Sequence, residues 1–206
     1  MKVLLINGSP NQYGCTYTAL SEVAGKLQAH GIDIEILYLG KSPVPGCTAC
    51  QECFETGKCV FDDQVNEVLE KLDEIDGMVI GSPVYFAGPN GNLTSFLDRL
   101  FYSARYGMSY KPGASVISCR RGGASASFDR LNKYFTIRNM PIVSSKYWNM
   151  VHGNTPEEVK QDEEGMQTMR LLGENMAWLL KCIQAGHQNG VPHPEQERPV
   201  KTNFIR

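Results

Sequence analysis

Apolar positions along this chain alternate between two periods, a strand-like run followed by a helix-like one. Residues 2–8 form an apolar run that ends at Gly8-Ser9-Pro10, the pattern of a strand buried on both faces of a parallel sheet. From Thr16 onward, Leu20, Val23, Ala24 and Leu27 recur at helical spacing, and Gly31 is placed to stop that helix. Residues 32–39 alternate as a second strand. Asp62 or Asp63 can cap a helix carrying Val65, Val68, Leu69 and Leu72, after which residues 77–81 read as another buried strand, ending in Gly81-Ser82-Pro83. The pattern then predicts a helix over 93–102, a strand over 114–119, a helix over 127–134 with Phe128, Leu131 and Phe135 inward, and a fifth strand over 140–148. Asn154 or Thr155, with Pro156 and Glu158, starts a long helix towards Ala185, with proline in the first turn and a Thr-x-x-Glu capping box. From about residue 186 the chain, with Pro192, Pro194 and Pro199, reads as irregular.

Strands and helices in this order require parallel strands joined by right-handed crossovers. Five such strands with helices on both faces make an α/β doubly wound sheet, for which the expected arrangement is the flavodoxin-like order 2-1-3-4-5. Ligands of these sheets bind beyond the carboxyl ends of the strands, where the strand order reverses. The 206 residues, 42% of them hydrophobic, are enough for one core, and no internal repeat or linker marks a boundary, so residues 1–206 read as one domain. Twenty basic against 22 acidic residues give a formal charge of -2, which offers no field for nucleic acid or an anionic membrane. No apolar run is long enough to span a bilayer, and the first residues do not form a signal peptide. A cytoplasmic location with reduced thiols is therefore expected.

Three loops at the expected ligand edge share a small, polar composition. The first, residues 8–18, joins a buried strand to a helix start. Its backbone amides and the hydroxyls of Ser9, Thr16 and Thr18 can surround a phosphate at the positive end of the helix dipole. Asn11, Gly14, Cys15 and Tyr17 complete that candidate site. The loop has neither the Gly-Lys-Ser/Thr of a nucleoside triphosphate site nor G-x-G-x-x-G, so a monophosphate suits it better than a dinucleotide. A plain strand-to-helix turn capped by Ser and Thr is the other reading. The second loop, residues 81–92, carries Pro83, Val84, Tyr85, Phe86 and Asn90; two aromatics in an exposed turn call for a flat partner, or for packing beneath a helix or against another subunit. The third, residues 118–125, carries Arg120, Arg121, Gly122 and Gly123, in which glycines allow close backbone approach. Its arginines can face a flavin carbonyl or a nicotinamide-cofactor phosphate, or simply be solvated.

A fourth loop, over 46–60, carries Cys47, Cys50, Cys53 and Cys59 in a C-x2-C-x2-C-x5-C run flanked by Pro43, Pro45, Gly46 and Gly57. Closely spaced thiolates on a flexible loop suit an iron–sulfur cluster. Zinc is a weaker match, because structural zinc sites usually join two separated ligand pairs. The thiols can also be empty and pack a compact loop.

Asn7-Gly8-Ser9-Pro10 with Gly14-x-Thr16, then residues 81–86 with Asn90-Gly91 and Phe96-Leu97-Asp98-Arg99, resemble the NADPH-dependent FMN reductase family of flavodoxin-like enzymes over roughly the first 125 residues. The cysteine run makes the chain similar to that family's iron–sulfur flavoprotein branch. The resemblance implies a bound FMN, with its phosphate on the Ser9 to Thr18 loop and its ring on Pro83 to Phe86 and the Arg121-Gly122-Gly123 loop. It implies a homodimer or homotetramer with the flavin near a subunit boundary. Some relatives with a similar cysteine loop are thought to hold no cluster, so the resemblance leaves that question open.

The activity expected is hydride transfer from NAD(P)H to FMN, then electron passage to a quinone or other small acceptor, with a [4Fe–4S] cluster as a possible relay. No side-chain nucleophile is required. A non-enzymatic flavodoxin-like electron carrier is the alternative, and a thiol-based redox sensor acting through Cys15 or the cysteine loop is a third. His152 without a partner in view reads as a structural hydrogen bonder, and Trp148 as a subunit contact.

Overall fold

The computed structural model describes residues 1–105, 107–198, 200–202 and 204. Pro199, counted above in the irregular tail, lies outside the described residues. The elements are, in chain order, β1 (Lys2–Asn7), α1 (Cys15–Ala29), β2 (Asp33–Tyr38), α2 (Cys53–Thr56) and α3 (Gln64–Glu70). A 3-10 turn at Leu72–Glu74 leads into β3 (Gly77–Tyr85), β4 (Gly88–Pro89), α4 (Gly91–Ser103), β5 (Gly113–Cys119) and α5 (Ala124–Thr136). The chain continues through β6 (Met150–His152), α6 (Pro156–Gln161) and α7 (Glu163–Gln188).

The sheet runs β2-β1-β3-β5-β6, with β4 paired antiparallel to β3. Its main strands are all parallel, with Leu4 opposite both Glu35 and Met78, Val79 opposite Ala114, and Ile117 opposite Met150. Counting only the parallel strands, this is the expected 2-1-3-4-5 order of a flavodoxin-like sheet. The uninterrupted apolar run of β1 has a simple cause: successive side chains point to opposite faces, and both faces are covered. Leu4 and Ile6 join Val68, Phe96, Leu100 and Phe135 from α3, α4 and α5. Val3 and Leu5 join Leu20, Val23 and Leu27 of α1 and Met169, Leu172 and Met176 of α7. Each such side chain, taken fully out of water, contributes about 1.5–3 kcal/mol.

Three expectations need correction. The fifth strand is Met150–His152, not residues 140–148, of which only Ile142 bridges to the sheet, at Gly113. Pro141 has no N–H to give a ladder, and the Ser145 hydroxyl bonds the Tyr147 carbonyl at 2.7 Å and the Asn149 side chain at 2.8 Å, drawing this stretch into a local turn. The long C-terminal helix is two helices, because Asp162, at ψ 79°, leaves helical geometry and caps α7 by accepting from the Gly165 amide at 2.9 Å. Finally, β3 does not stop at Gly81 but runs on to Tyr85, so the second loop is a hairpin with β4, Tyr85 opposite Gly88.

Candidate functional site

The carboxyl ends of β1, β3 and β5 bring the first three loops together. Gly8 N–H donates to the Gly81 carbonyl at 2.9 Å, and the hydroxyls of Thr16 and Ser118 lie 2.7 Å apart. Gly123, at φ 95°, sits so close to the hairpin that a Cβ there would stand 2.7 Å from Ala87 Cα. Gly81 is equally tight against α1, where an added Cβ would meet Leu20 at 2.7 Å and Thr16 at 2.8 Å. Only hydrogen side chains permit these approaches.

The first loop is shaped from within. Buried Asn7 donates to the Gln12 carbonyl at 2.9 Å and accepts from the Ser9 amide at 3.1 Å, while the Ser9 hydroxyl accepts from the Asn11 amide at 3.1 Å. Tyr38 at the end of β2 donates to the Pro10 carbonyl at 2.7 Å. Neither Asn7 nor Tyr38 stood among the candidate site residues; a polar Asn closing an apolar strand was the available signal. The helix that follows starts bare. α1 has Gly14 as its N-cap, no side-chain cap and no acidic residue in its first turn, whereas Asp63, Asn90, Thr155 and Asp162 cap α3, α4, α6 and α7 with their side chains. α5 likewise starts on a glycine, Gly123, without a side-chain cap. Amides left over at a helix start attract an anion, so the residues at this edge fit a phosphate. Of the expected hydroxyl donors, Thr16 is already paired with Ser118, and Thr18 donates to the Gly14 carbonyl at 3.2 Å. The buried Ser9 hydroxyl accepts from within its loop, and among the described residues no acceptor is assigned to its own proton.

The aromatic hairpin tip is solvent-facing. Phe86 is fully exposed and Tyr85 half so, with Phe86 and Ala87 held at φ 49° and 59°. Such left-handed backbone costs about 1–2 kcal/mol at each non-glycine residue. Behind it, the Ser82 hydroxyl accepts from the Asn90 amide at 2.9 Å, and the Asn90 side-chain oxygen caps α4. Pro83 pairs with Ser118 in the sheet, and Val84 is half-buried beneath the tip. Arg120 and Arg121 are exposed on the third loop, beside Gly122. Burial pushes the thiols of Cys15 and Cys119 up, which keeps both protonated at neutral pH. A hollow of about 500 Å³ opens on the first loop, lined by Asn11, Gly14 and Cys15 of the candidate site and by Tyr38, Lys41 and Asn154 among others. His152 turns towards Asp162, 3.7 Å away, and Trp148 packs on Tyr147 with ring centres 4.9 Å apart.

The cysteine loop follows β2 and packs beside α4, where Asn92 accepts from the Val44 amide at 3.3 Å and donates to the Ser42 carbonyl at 3.0 Å. Cys47 and Cys50 are exposed, Cys59 is half-buried and Cys53 is buried at the start of α2, and all four border one hollow with Arg99 and Ser103. Among the described residues, no group of three or more His, Cys, Asp or Glu is gathered closely enough to hold a metal ion. Four thiols bordering one hollow are the donor type that an iron–sulfur cluster uses. Asn66 ties down the loop's far end, accepting from the Cys59 amide at 2.8 Å and donating to the Cys59 carbonyl at 3.0 Å. Arg99, on α4, reaches the Cys59 sulfur and pairs with Asp63 at 2.7 and 2.8 Å. An arginine inside the apolar stretch of residues 96–101 was the sign of this role.

Comparison with known proteins agrees with this layout. The sequence model of the NADPH-dependent FMN reductase family matches residues 1–155. An iron-sulfur flavoprotein of Methanocaldococcus jannaschii is 33% identical over 193 residues, spanning 89% of this chain and 100% of that one. An iron-sulfur flavoprotein of Archaeoglobus fulgidus is 31% identical, spanning 82% and 86%. Among solved structures, an NAD(P)H:quinone oxidoreductase of Methanothermobacter marburgensis superposes with a TM-score of 0.63 at 15% identity, over 85% of this chain and 94% of that one. A flavodoxin from the Archaea superposes at 0.61 with 13% identity, over 88% and 99%. With its parallel sheet, its bare helix start after β1 and a family match over most of its length, the chain belongs to the NADPH-dependent FMN reductase family of flavin oxidoreductases.

Proposed function

We propose that this protein binds one FMN at the edge formed by its first three loops and passes electrons from NAD(P)H to a quinone or another small acceptor, with the cysteine loop holding a [4Fe–4S] cluster. FMN, when bound, supplies the redox chemistry through its ring. The chain binds, orients and shields it. The observation that carries the reading is that α1 and α5 both start on glycines without side-chain caps, at the carboxyl edge of the parallel sheet. At the first of these starts the amides of residues 15–17, with the proton of the Ser9 hydroxyl, are the groups suited to a phosphate; Asn11, Thr16 and Thr18 keep the loop in shape.

Pro83, Val84, Tyr85 and Phe86 on one side and Gly122 and Gly123 on the other make a small-residue wall with an aromatic rim. Covering Tyr85 and Phe86 with a flat ring recovers about 25 cal/mol for each Å² of apolar surface hidden. Arg120 and Arg121 supply exposed positive charge for a nicotinamide-cofactor phosphate. Cys47, Cys50, Cys53 and Cys59 are the four thiolates for a cluster. The exposed pair Tyr147 and Trp148 suits a contact between copies in a homodimer or homotetramer. Among the described residues no helix is long and apolar enough to cross a membrane.

The test is to release the cofactor by heat, identify it by chromatography, and follow anaerobic NADPH and NADH oxidation with a quinone as acceptor. FMN together with rapid turnover is expected. FAD alone, no flavin after reconstitution, or FMN without nicotinamide oxidation would each overturn the reading.

A further inference from the structure

Arg99 is the one fully buried charged side chain among the described residues, 1% exposed. All five of its N–H donors, the full complement of a guanidinium, are engaged. Nη1 and Nη2 fork onto the Asp63 carboxylate at 2.7 and 2.8 Å, Nη1 also reaches the Pro45 carbonyl at 3.5 Å, and Nη2 the Phe61 carbonyl at 3.3 Å. The remaining donor, Nε–H, points at the Cys59 sulfur at 3.2 Å. The Phe61 ring covers one face of the guanidinium, 4.8 Å from its centre. Four of these bonds clamp the two ends of the cysteine loop to α4. The fifth is fixed by the other four: a planar fork held at so many points cannot swing away, so its Nε–H stays aimed at the sulfur even though a neutral thiol is a weak acceptor. That sulfur borders the same hollow as the other three thiols of the run.

We infer that Arg99 is a positioning residue for the iron–sulfur centre, acting through Cys59: its Nε–H···Sγ bond orients that ligand and makes the centre easier to reduce. The inference rests on the proposed role of the cysteine loop. Reduction adds negative charge that spreads onto the ligand sulfurs, and a fixed N–H donor on one of them favours the more negative state. Because Asp63 offsets the guanidinium charge, the effect is that of one oriented donor rather than of an unpaired cation.

The experiment uses the full chain reconstituted anaerobically with iron and sulfide, as the parent, Arg99→Lys and Asp63→Asn. Both substitutions lose the charged two-bond fork, Asp63→Asn by removing the carboxylate charge and Arg99→Lys by removing the guanidinium, and only Arg99→Lys removes the Nε–H. Iron content and a dithionite titration followed by EPR are read for each. The expected result is that Arg99→Lys disfavours one-electron reduction at least tenfold, which is 59 mV or more towards negative potential, while Asp63→Asn does not lower the potential. Iron loss confined to Arg99→Lys supports the inference as well. A measurement on the intact parent guards against a variant that fails to fold: with 15N-arginine incorporated, pulsed EPR of the reduced protein is expected to detect a coupled nitrogen. A missing coupling, an unchanged potential in Arg99→Lys, or equal iron loss from both variants would overturn it and leave Arg99 a structural clamp. A parent that takes up no iron removes the cluster reading itself and this inference with it, whereas a loaded parent with an indifferent Arg99→Lys removes the inference alone.

Discussion

Gly123 is where the second and third loops touch, and its replacement by alanine reads out how tightly that wall is built. At φ 95° the residue occupies backbone space that an L side chain enters at about 1–2 kcal/mol. The new methyl would stand 2.7 Å from Ala87 Cα and 2.9 Å from Val84 Cγ1. The hairpin has little room to yield, because Phe86 and Ala87 at its tip already sit at positive φ. Overpacking of this kind adds about 1–3 kcal/mol. The expected loss is then about 2–5 kcal/mol, or roughly 4–20 °C in melting temperature for a chain of this size. Gly122 is the matched control: its φ is ordinary and nothing lies within 4 Å of an added Cβ. Gly122→Ala is expected to stay within about 0.5 kcal/mol of the parent. Thermal and urea melts of flavin-free and FMN-saturated protein, with FMN titration by fluorescence quenching, give both quantities. Gly123→Ala is expected to weaken FMN at least tenfold, about 1.4 kcal/mol, because the hairpin it displaces is the flavin wall. A Gly123→Ala protein that melts like Gly122→Ala and binds FMN like the parent would refute the reasoning.

Three further outcomes are expected. Ser9→Ala weakens FMN by about 1.5–3 kcal/mol through one lost bond to a charged phosphate, whereas Thr16→Ala, which breaks the 2.7 Å contact with Ser118, lowers stability more than affinity; titrations and melts of each variant separate the two, and equal FMN binding by Ser9→Ala and the parent would move the phosphate elsewhere. After anaerobic reconstitution, Cys53→Ala loses iron while Cys182→Ala, remote in sequence from the run, keeps the parent's content; equal iron in the two variants would remove the loop as the cluster site. The Lys71 ammonium bonded to Glu35, helped by Lys2 at 2.9 Å and opposed by partial burial, holds that carboxyl below its usual 4.5. A depressed carboxylate stabilises the fold fully above its unfolded value and loses that contribution as pH falls through the folded value. Glu35→Gln is therefore destabilising at pH 7, and the gap to the parent closes as melts are taken below about pH 4; a gap that persists in acid would assign the effect to packing.

Much of this architecture is local and so could be read from residue order. A period of two or of 3.6 needs only neighbours, and small polar turns at the carboxyl ends of apolar runs mark the ligand edge wherever the strands later pair. Asp63 and Thr155 cap the helices expected of them because a cap bonds an amide within three residues. The cysteine spacing, too, is a short-range fact. What the chain order could not settle depends on residues far apart. The last strand lies at Met150–His152 because pairing with β5 selects it, and residues 140–148, though apolar enough, contain Pro141 and a serine-bonded turn. The break at Asp162 exists because its carboxylate serves both the Gly165 amide and the His152 amide, 2.7 Å away across the sheet edge. That the Thr16 hydroxyl meets Ser118 could not be read from residue order, because Ser118 arrives beside it from another strand. Arg99 reads as one charge on a helix until folding closes Pro45, Cys59, Phe61 and Asp63 around it. Sequence by itself thus determined the periodic elements, their parallel order and the thiol donor set. Tertiary structure decided which polar groups are spent holding loops and which stay free for a ligand, because a hydrogen bond between distant residues is chosen only when the sheet register brings them together.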